Sequence, residues 1–187
     1  MREVVEVSTW DAYYADGRWF RPVMDEEKDF LRQSVERAPG RTALDVGCGT
    51  GGLAEFLHEE GYSVLGIDYS QTAIALAQSK FADTAGLEFR HVDAACDGWD
   101  KFPSFDLITA RLTYAFIDPK PEFLKKVKDH LNPGGAFHVM TPLADRLPES
   151  RNGLGITVEE LDEMRLGWSS IEEHELDGQH VAYTLTI

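Results

Sequence analysis

An apolar pentapeptide, TALDV (42–46), runs straight into Gly47, Gly49, Gly51 and Gly52 and then into LAEFLHEEG, where Leu53, Phe56 and Leu57 recur at helical spacing and Gly61 ends the run. A strand that becomes a helix through so bare a turn is the first half of a strand–helix–strand unit, which sets strands parallel and packs helices on the sheet. The chain then repeats the pattern. YSVLGID (62–68) reads as a second strand, and Ser70 is placed to cap a helix with Ile74, Ala77 and Phe81 on one face. LEFRHVDA (87–94) and FDLITAR (105–111) read as the third and fourth strands.

Further along, Asp118 is expected to cap a helix with Pro119 at its first position and a buried stripe of Phe123, Leu124, Val127 and Leu131. NPGG (132–135) stops that helix before a fifth strand, AFHVMT (136–141). Thr157 and Glu160 form a capping-box pair for a last helix with Leu161 and Met164 inward. Asp177 and Gly178 split the remaining residues into a β-hairpin whose closing strand alternates Val181, Tyr183, Leu185 and Ile187. The expected fold is therefore α/β and doubly wound, with a mostly parallel sheet and one antiparallel strand from the terminal hairpin, over residues 41–187. Residues 1–40 stand outside the alternation as a helical cap, with a helix over 25–38 ended by Pro39 and Gly40. The 187 residues, 43% hydrophobic, suit a single domain.

Charge narrows the partners. Lys and Arg number 18 against 33 Asp and Glu, so 18 − 33 = −15, the wrong sign for a nucleic-acid binder. Lys120, Lys125, Lys126 and Lys128 fall at helical spacing and read as a solvated outer face. Cys48 and Cys96 make neither a disulfide framework nor a metal-ligand spacing, so no metal is expected. With no long apolar run, the expectation is a soluble, cytoplasmic protein without a membrane segment.

The glycine turn lets a ligand approach the backbone closely, with the first N–H groups of the following helix nearby. Gly47, Gly49 and Gly52 satisfy G-x-G-x-x-G, so a nicotinamide or flavin dinucleotide fits the spacing; a P-loop does not, because no Lys-Ser or Lys-Thr follows. Asp68, at the end of the second strand, is placed to accept both hydroxyls of an adenosine ribose, and Asp93, at the end of the third, an exocyclic adenine amine. Asp45, two residues before Gly47, would repel a pyrophosphate and favour a ligand bearing an ammonium or a sulfonium.

LDVGCGTG, GIDYS, HVDA, FDLITAR and LNPGG, in this order and at these spacings, resemble the class I (Rossmann-like) S-adenosylmethionine-dependent methyltransferases over about residues 41–187. The resemblance implies a seven-stranded, three-layer αβα domain with the seventh strand inserted antiparallel between the fifth and sixth. It implies S-adenosylmethionine as cofactor and S-adenosylhomocysteine as product. Asp45 and the turn Gly47, Cys48, Gly49 and Gly51 would then hold the methionine end, Asp68 the ribose, Tyr69 a face of the adenine, and Asp93 with Ala94 its edge. Ala110 and Arg111, closing the fourth strand, would line the methionyl group. The NPPY-type tetrad of nucleic-acid amino-methylating members is absent, so base methylation is not expected, and the minimal sheet with a short N-terminal cap and no large insertion suits a small molecule or small peptide as acceptor.

Near the acceptor, the candidates are Arg111 as a clamp for a carboxylate, Tyr114 to orient a nucleophile, and His138 as a base, each with an ordinary structural role as its alternative. Trp10, Tyr13, Tyr14, Trp19 and Phe20 form either a lid over the sheet edge or the anchor of an amphipathic helix; Tyr14 is the one expected to touch the cofactor, and Tyr13 is an acceptor-side candidate. PLADRLPESRNGLGIT (142–157), without helical period, is either a gate beside the site or a plain connection. A non-catalytic protein that binds the cofactor or its product, and a dinucleotide-dependent oxidoreductase, are the alternative functions.

Overall fold

Strand β1 (Thr42–Val46) lies in the middle of a seven-stranded sheet and is buried on both faces, which is why TALDV shows no polar alternation. The computed structural model describes residues 6–18, 21–35, 40–96 and 98–187. The other strands are β2 (Ser63–Asp68), β3 (Leu87–His91), β4 (Phe105–Arg111), β5 (Leu131–Pro142), β6 (Ser170–Glu175) and β7 (His180–Thr186), in the order β3-β2-β1-β4-β5-β7-β6. The first five strands run parallel, and β7 enters antiparallel between β5 and β6. This is the doubly wound sheet with a terminal hairpin that the sequence predicts.

Alternate residues of each strand face two helical layers. Ala43, Val64, Leu107 and Ala136 pack against α2 (Asp25–Ser34), α3 (Gly52–Glu59) and α4 (Gln71–Lys80). Leu44, Ile67, Ile108 and Phe137 pack against α5 (Lys120–Asp129) and α6 (Val158–Met164). Helix α1 (Val7–Ala15) lies against the start of α4 and buries none of its own residues. Two of the three expected caps are present: Ser70 Oγ accepts from the Ala73 N–H, and Thr157 and Glu160 make the reciprocal capping box. No helix among the described residues is long and apolar enough to cross a membrane.

Four boundaries differ from the sequence reading. The helix expected over 25–38 ends at Ser34, because Val35 is extended (φ −120°, ψ 141°); Pro39 lies outside the described residues. Helix α5 begins at Lys120, after an extended Pro119, and it is Pro121 that fills a first-turn position where an N–H has no partner anyway; Asp118 makes no cap bond. Strand β3 stops at His91, the last residue with a partner on β2. NPGG does not precede β5 but lies within it, as an irregularity between the Phe105–Leu131 and Leu107–Ala136 pairings. The 142–157 segment contains two 3-10 turns, 144–146 and 149–154, closed by a bridge between Leu143 and Ile156.

Gly66 on β2 faces Phe89 across the β2–β3 ladder, and a Cβ there would sit 2.7 Å from the Phe89 ring and 3.0 Å from Cys48 Sγ. Phe89 stacks on Phe81 of the α4 terminus at 5.5 Å and also closes off Gly51. Gly66→Ala is expected to lower stability in urea denaturation by ~1–3 kcal/mol, the usual cost of overpacking a filled core.

Candidate functional site

The carboxyl ends of β1, β2, β3 and β4 open into a cavity of about 740 Å³, walled also by residues of α1, of the segment before α2 and of the turn after β4. The glycine turn is drawn tightly onto β2. Both Gly47 and Cys48 N–H donate to the Ile67 carbonyl, at 2.8 and 3.0 Å, and Gly51 N–H donates to Cys48 at 2.9 Å. Gly49 N–H donates to Asp68 Oδ2 at 2.9 Å. These four donors are thereby spent inside the protein, one of them on a carboxylate, so the turn presents few of the N–H groups that a pyrophosphate cradle needs.

Four carboxylates border the cavity, Asp118 from the segment before α5 and three from the strand ends. Asp45 is 1% exposed; its Oδ1 accepts from Thr109 Oγ1 at 2.7 Å, and its Oδ2 has no hydrogen-bond partner. Burial pushes its carboxyl up to about 7, against the opposing pull of the Thr109 hydroxyl, the Arg111 charge and, most weakly, the Ala54 N–H of α3, which does not reach hydrogen-bond geometry with Oδ2. Asp68 Oδ1 accepts from Ser70 N–H at 2.8 Å, so both of its oxygens are held by backbone, and burial still raises its pKa. Asp93 is less buried and turns its Oδ1 to the Ala95 N–H at 2.9 Å.

Most of the expected cofactor side meets here. Asp45, Gly47, Cys48, Gly49, Asp68, Tyr69, Asp93 and Ala94 all line the cavity, as does Tyr14 from α1. The Tyr14 hydroxyl lies 2.8 Å from where a Gly49 Cβ would be, and burial raises its pKa. Burial pushes the Tyr69 phenol up to about 12, keeping it neutral, and moves the Cys48 thiol in the same direction, so it is no nucleophile. Asp11 of α1 accepts from Ser70 Oγ at 2.6 Å and from Thr72 N–H at 3.1 Å, tying the helix that carries Tyr14 to the loop beside Asp68.

Other expected residues lie elsewhere. Gly51 sits behind the turn, in a left-handed conformation against Phe81 and Phe89, and Gly52 lines the cavity in its place. Ala110 is fully buried in the α5-side core, because strand alternation turns it away from the Asp45 side. Tyr114 is 0% exposed in the same core, packed against Phe123 and Phe137, since the 3-10 turn 114–116 points it inward. His138 is 1% exposed within the sheet and does not line the cavity; its Nδ1 lies 3.0 Å from Thr184 Oγ1, and burial takes its pKa down to about 3. Tyr13 does not line the cavity but packs edge-on to Trp10 and under Arg18. Trp19 and Phe20 lie outside the described residues.

Arg111 borders the cavity, yet its fork is committed. It pairs with buried Glu27 of α2 through Nε at 2.6 Å and Nη2 at 3.1 Å, and donates to the Arg21 and Pro22 carbonyls. Rather than clamping an anion, it fastens residues 21–27 to the rim of the sheet. The 142–157 segment contributes no residue to the cavity wall.

Sequence reasoning missed Thr109, whose signal is its two-residue offset from Arg111 and Leu107 on one strand. It also missed the turn after β4, where Leu112 adopts a positive φ of 55° and Thr113 packs so closely that a Cβ on Gly47 would lie 1.9 Å from Thr113 Oγ1. Thr113, Phe116 and Ile117 line the cavity, and Phe116 meets Trp10 of α1 edge-on at 5.3 Å.

A mostly parallel sheet of this order, with a glycine turn and strand-end carboxylates around one edge cavity, defines a Rossmann-like fold. The chain belongs to the methyltransferase-domain family, whose sequence model matches residues 44–137. Among curated relatives it is 27% identical over 153 residues to a ubiquinone biosynthesis O-methyltransferase of Acinetobacter baumannii (strain ACICU), a match covering 79% of this chain and 62% of that protein. The chain thus spans about three-fifths of the length of that relative. Its fold matches N-methyltransferase NodS from Bradyrhizobium japonicum WM9, solved with S-adenosyl-L-homocysteine (TM-score 0.74, 16% identity, 96% of this chain and 97% of that one). It also matches an S-adenosylmethionine-dependent methyltransferase from Mesorhizobium loti (TM-score 0.71, 21% identity, 85% and 96%).

The Asp45 shift carries a sign. A carboxyl that resists ionisation in the folded state costs stability as pH rises from 3.8, its ordinary value, through about 7. Asp45→Asn is therefore expected to raise ligand-free stability by ~2–4 kcal/mol at pH 8 and to make little difference at pH 4, read by thermal unfolding at the two pH values.

Proposed function

We propose that this chain is an S-adenosylmethionine-dependent methyltransferase that acts on a small molecule or small peptide. The observation that carries the reading is the unpartnered, buried Oδ2 of Asp45 on the cavity wall, a receptor for a cation. Asp68 supports it from the adenosine side: two backbone N–H groups hold its oxygens, and their remaining lone pairs suit a pair of ribose hydroxyls. Tyr69, Asp93 and Ala94 then frame the adenine, and family membership agrees.

When bound, S-adenosylmethionine supplies a methyl group on a sulfonium whose departure needs no further activation. The protein's part is to hold the acceptor in line with that methyl and keep water out. Asp45 anchors the ammonium, Tyr14 and Trp10 close the cavity from α1, and Thr113, Phe116 and Ile117 complete its wall, with Phe116 against Trp10. The net charge of −15 favours a neutral or cationic acceptor and weighs against nucleic acid.

A second reading, a protein that binds the cofactor or its product without turnover, draws on one observation. Tyr114 and His138, the expected acceptor-side groups, are buried away from the cavity, and Arg111 is spent on Glu27. An acceptor that must lose a proton would then find few bases. The enzyme reading stands because in-line transfer to an already nucleophilic atom requires none.

Calorimetric titration with S-adenosylmethionine, S-adenosylhomocysteine and NADH is expected to show one-to-one binding of the two adenosyl ligands alone. Asp68→Ala is expected to weaken S-adenosylhomocysteine binding by ~1–3 kcal/mol. Binding of NADH alone would reverse the assignment in favour of an oxidoreductase. Transfer of label from methyl-labelled S-adenosylmethionine to any member of an acceptor panel separates the enzyme from the non-catalytic binder.

A further inference from the structure

The register of the sheet sets a row of polar side chains across its α2–α4 face. Asp45 on β1 pairs with Thr109 on β4, Thr109 with His138 on β5, and His138 with Thr184 on β7. All four are at most 1% exposed, in a layer otherwise filled by residues such as Ala43, Leu107 and Ala136. Buried polar groups in an apolar layer are costly unless they hold one another, and here they do so in two pairs. Thr109 Oγ1 donates to Asp45 Oδ1 at 2.7 Å, and His138 Nδ1 lies 3.0 Å from Thr184 Oγ1. A threonine hydroxyl carries one proton, and giving it to Asp45 fixes both the rotation of the carboxyl group and which oxygen remains unpartnered.

We propose that Thr109 is a positioning residue for ligand recognition: by holding Asp45 Oδ1 it leaves Oδ2 as the oxygen that receives the ligand ammonium. The inference rests on the reading of the cavity as an adenosyl amino-acid site. Thr109 does not line that cavity, so its action passes through Asp45.

The charges around Asp45 come from four directions. Arg111 on β4 favours the carboxylate and Asp68 on β2 opposes it. Cys48 in the glycine turn and Tyr14 on α1 both sense the Asp45 charge and are themselves held neutral by burial. His138, next in the row, is kept uncharged by burial and adds no competing cation. Thr109 supplies the strongest of the interactions favouring the carboxylate, so its loss moves the Asp45 titration to higher pH.

The test compares two probes that share adenosine and sulfur but differ at one end. S-adenosylhomocysteine carries the amino acid; 5′-methylthioadenosine does not. Thr109→Val keeps the side-chain shape and removes the hydroxyl, and Thr109→Ser restores it. The expected result for Thr109→Val is a loss of ~10-fold or more in S-adenosylhomocysteine affinity at pH 7, with 5′-methylthioadenosine changed by less than ~2-fold. The midpoint at which S-adenosylhomocysteine affinity falls on acidification is expected to move up in the valine variant and to return in Thr109→Ser. Equal weakening of both probes, or no change in either, overturns the proposal. If the wild-type chain binds neither probe, the reading of the cavity itself fails, and the inference with it.

Discussion

No side chain fits at Gly47. A Cβ there would meet Thr113 Oγ1 at 1.9 Å, one at Gly49 would meet the Tyr14 hydroxyl, and one at Gly51 would meet the Phe81 and Phe89 rings. These neighbours come from the turn after β4, from α1, and from α4 and β3, so one short loop is where the sheet, its helices and the N-terminal cap converge. The loop's own N–H groups are turned onto β2 and Asp68. This close approach brings the ends of β1, β2 and β4 around one ligand-sized space.

The second organising fact is the charge buried near that space. Glu27 and Arg111 pair at the rim and anchor the cap, an arrangement more useful for fixing geometry than for stability. Asp45 and Asp68 are different, because burial raises the pKa of each and no side-chain cation forms a salt bridge with either among the described residues. A fold that carries such carboxylates without a ligand is held below its attainable stability, and a cationic ligand relieves the cost at Asp45. Stability and recognition are thus opposed at the same residue.

Much of this is legible in the sequence, because strand periodicity, glycine turns and caps are local. TALDV, GIDYS and the hairpin around Asp177 appear where their patterns place them, and Asp45, Asp68 and Asp93 reach one cavity because each lies at or just past the carboxyl end of a parallel strand. Side-chain direction near the strand ends is less local. Ala110 and Tyr114 are adjacent in sequence to the cavity wall yet face the α5-side core, as the alternation of β4 and the inward 3-10 turn after Leu112 dictate. Arg111 reaches the cavity as its place at the end of β4 predicts, but its fork goes to Glu27, 84 residues away on a helix whose docking no local pattern reveals. His138 is similar: its role depends on Thr184, reached only through the antiparallel pairing of β5 with β7.

If the unpartnered oxygen of Asp45 is a receptor for the amino end of an adenosyl ligand, a crystal structure of the protein with S-adenosylhomocysteine will show it. The ligand ammonium, or one water bound to it, is expected within ~3 Å of Asp45 Oδ2, with both ribose hydroxyls on Asp68. A ligand seated with its amino acid away from Asp45, or with Asp45 Oδ2 still unpartnered beneath it, would rule out that role for Asp45.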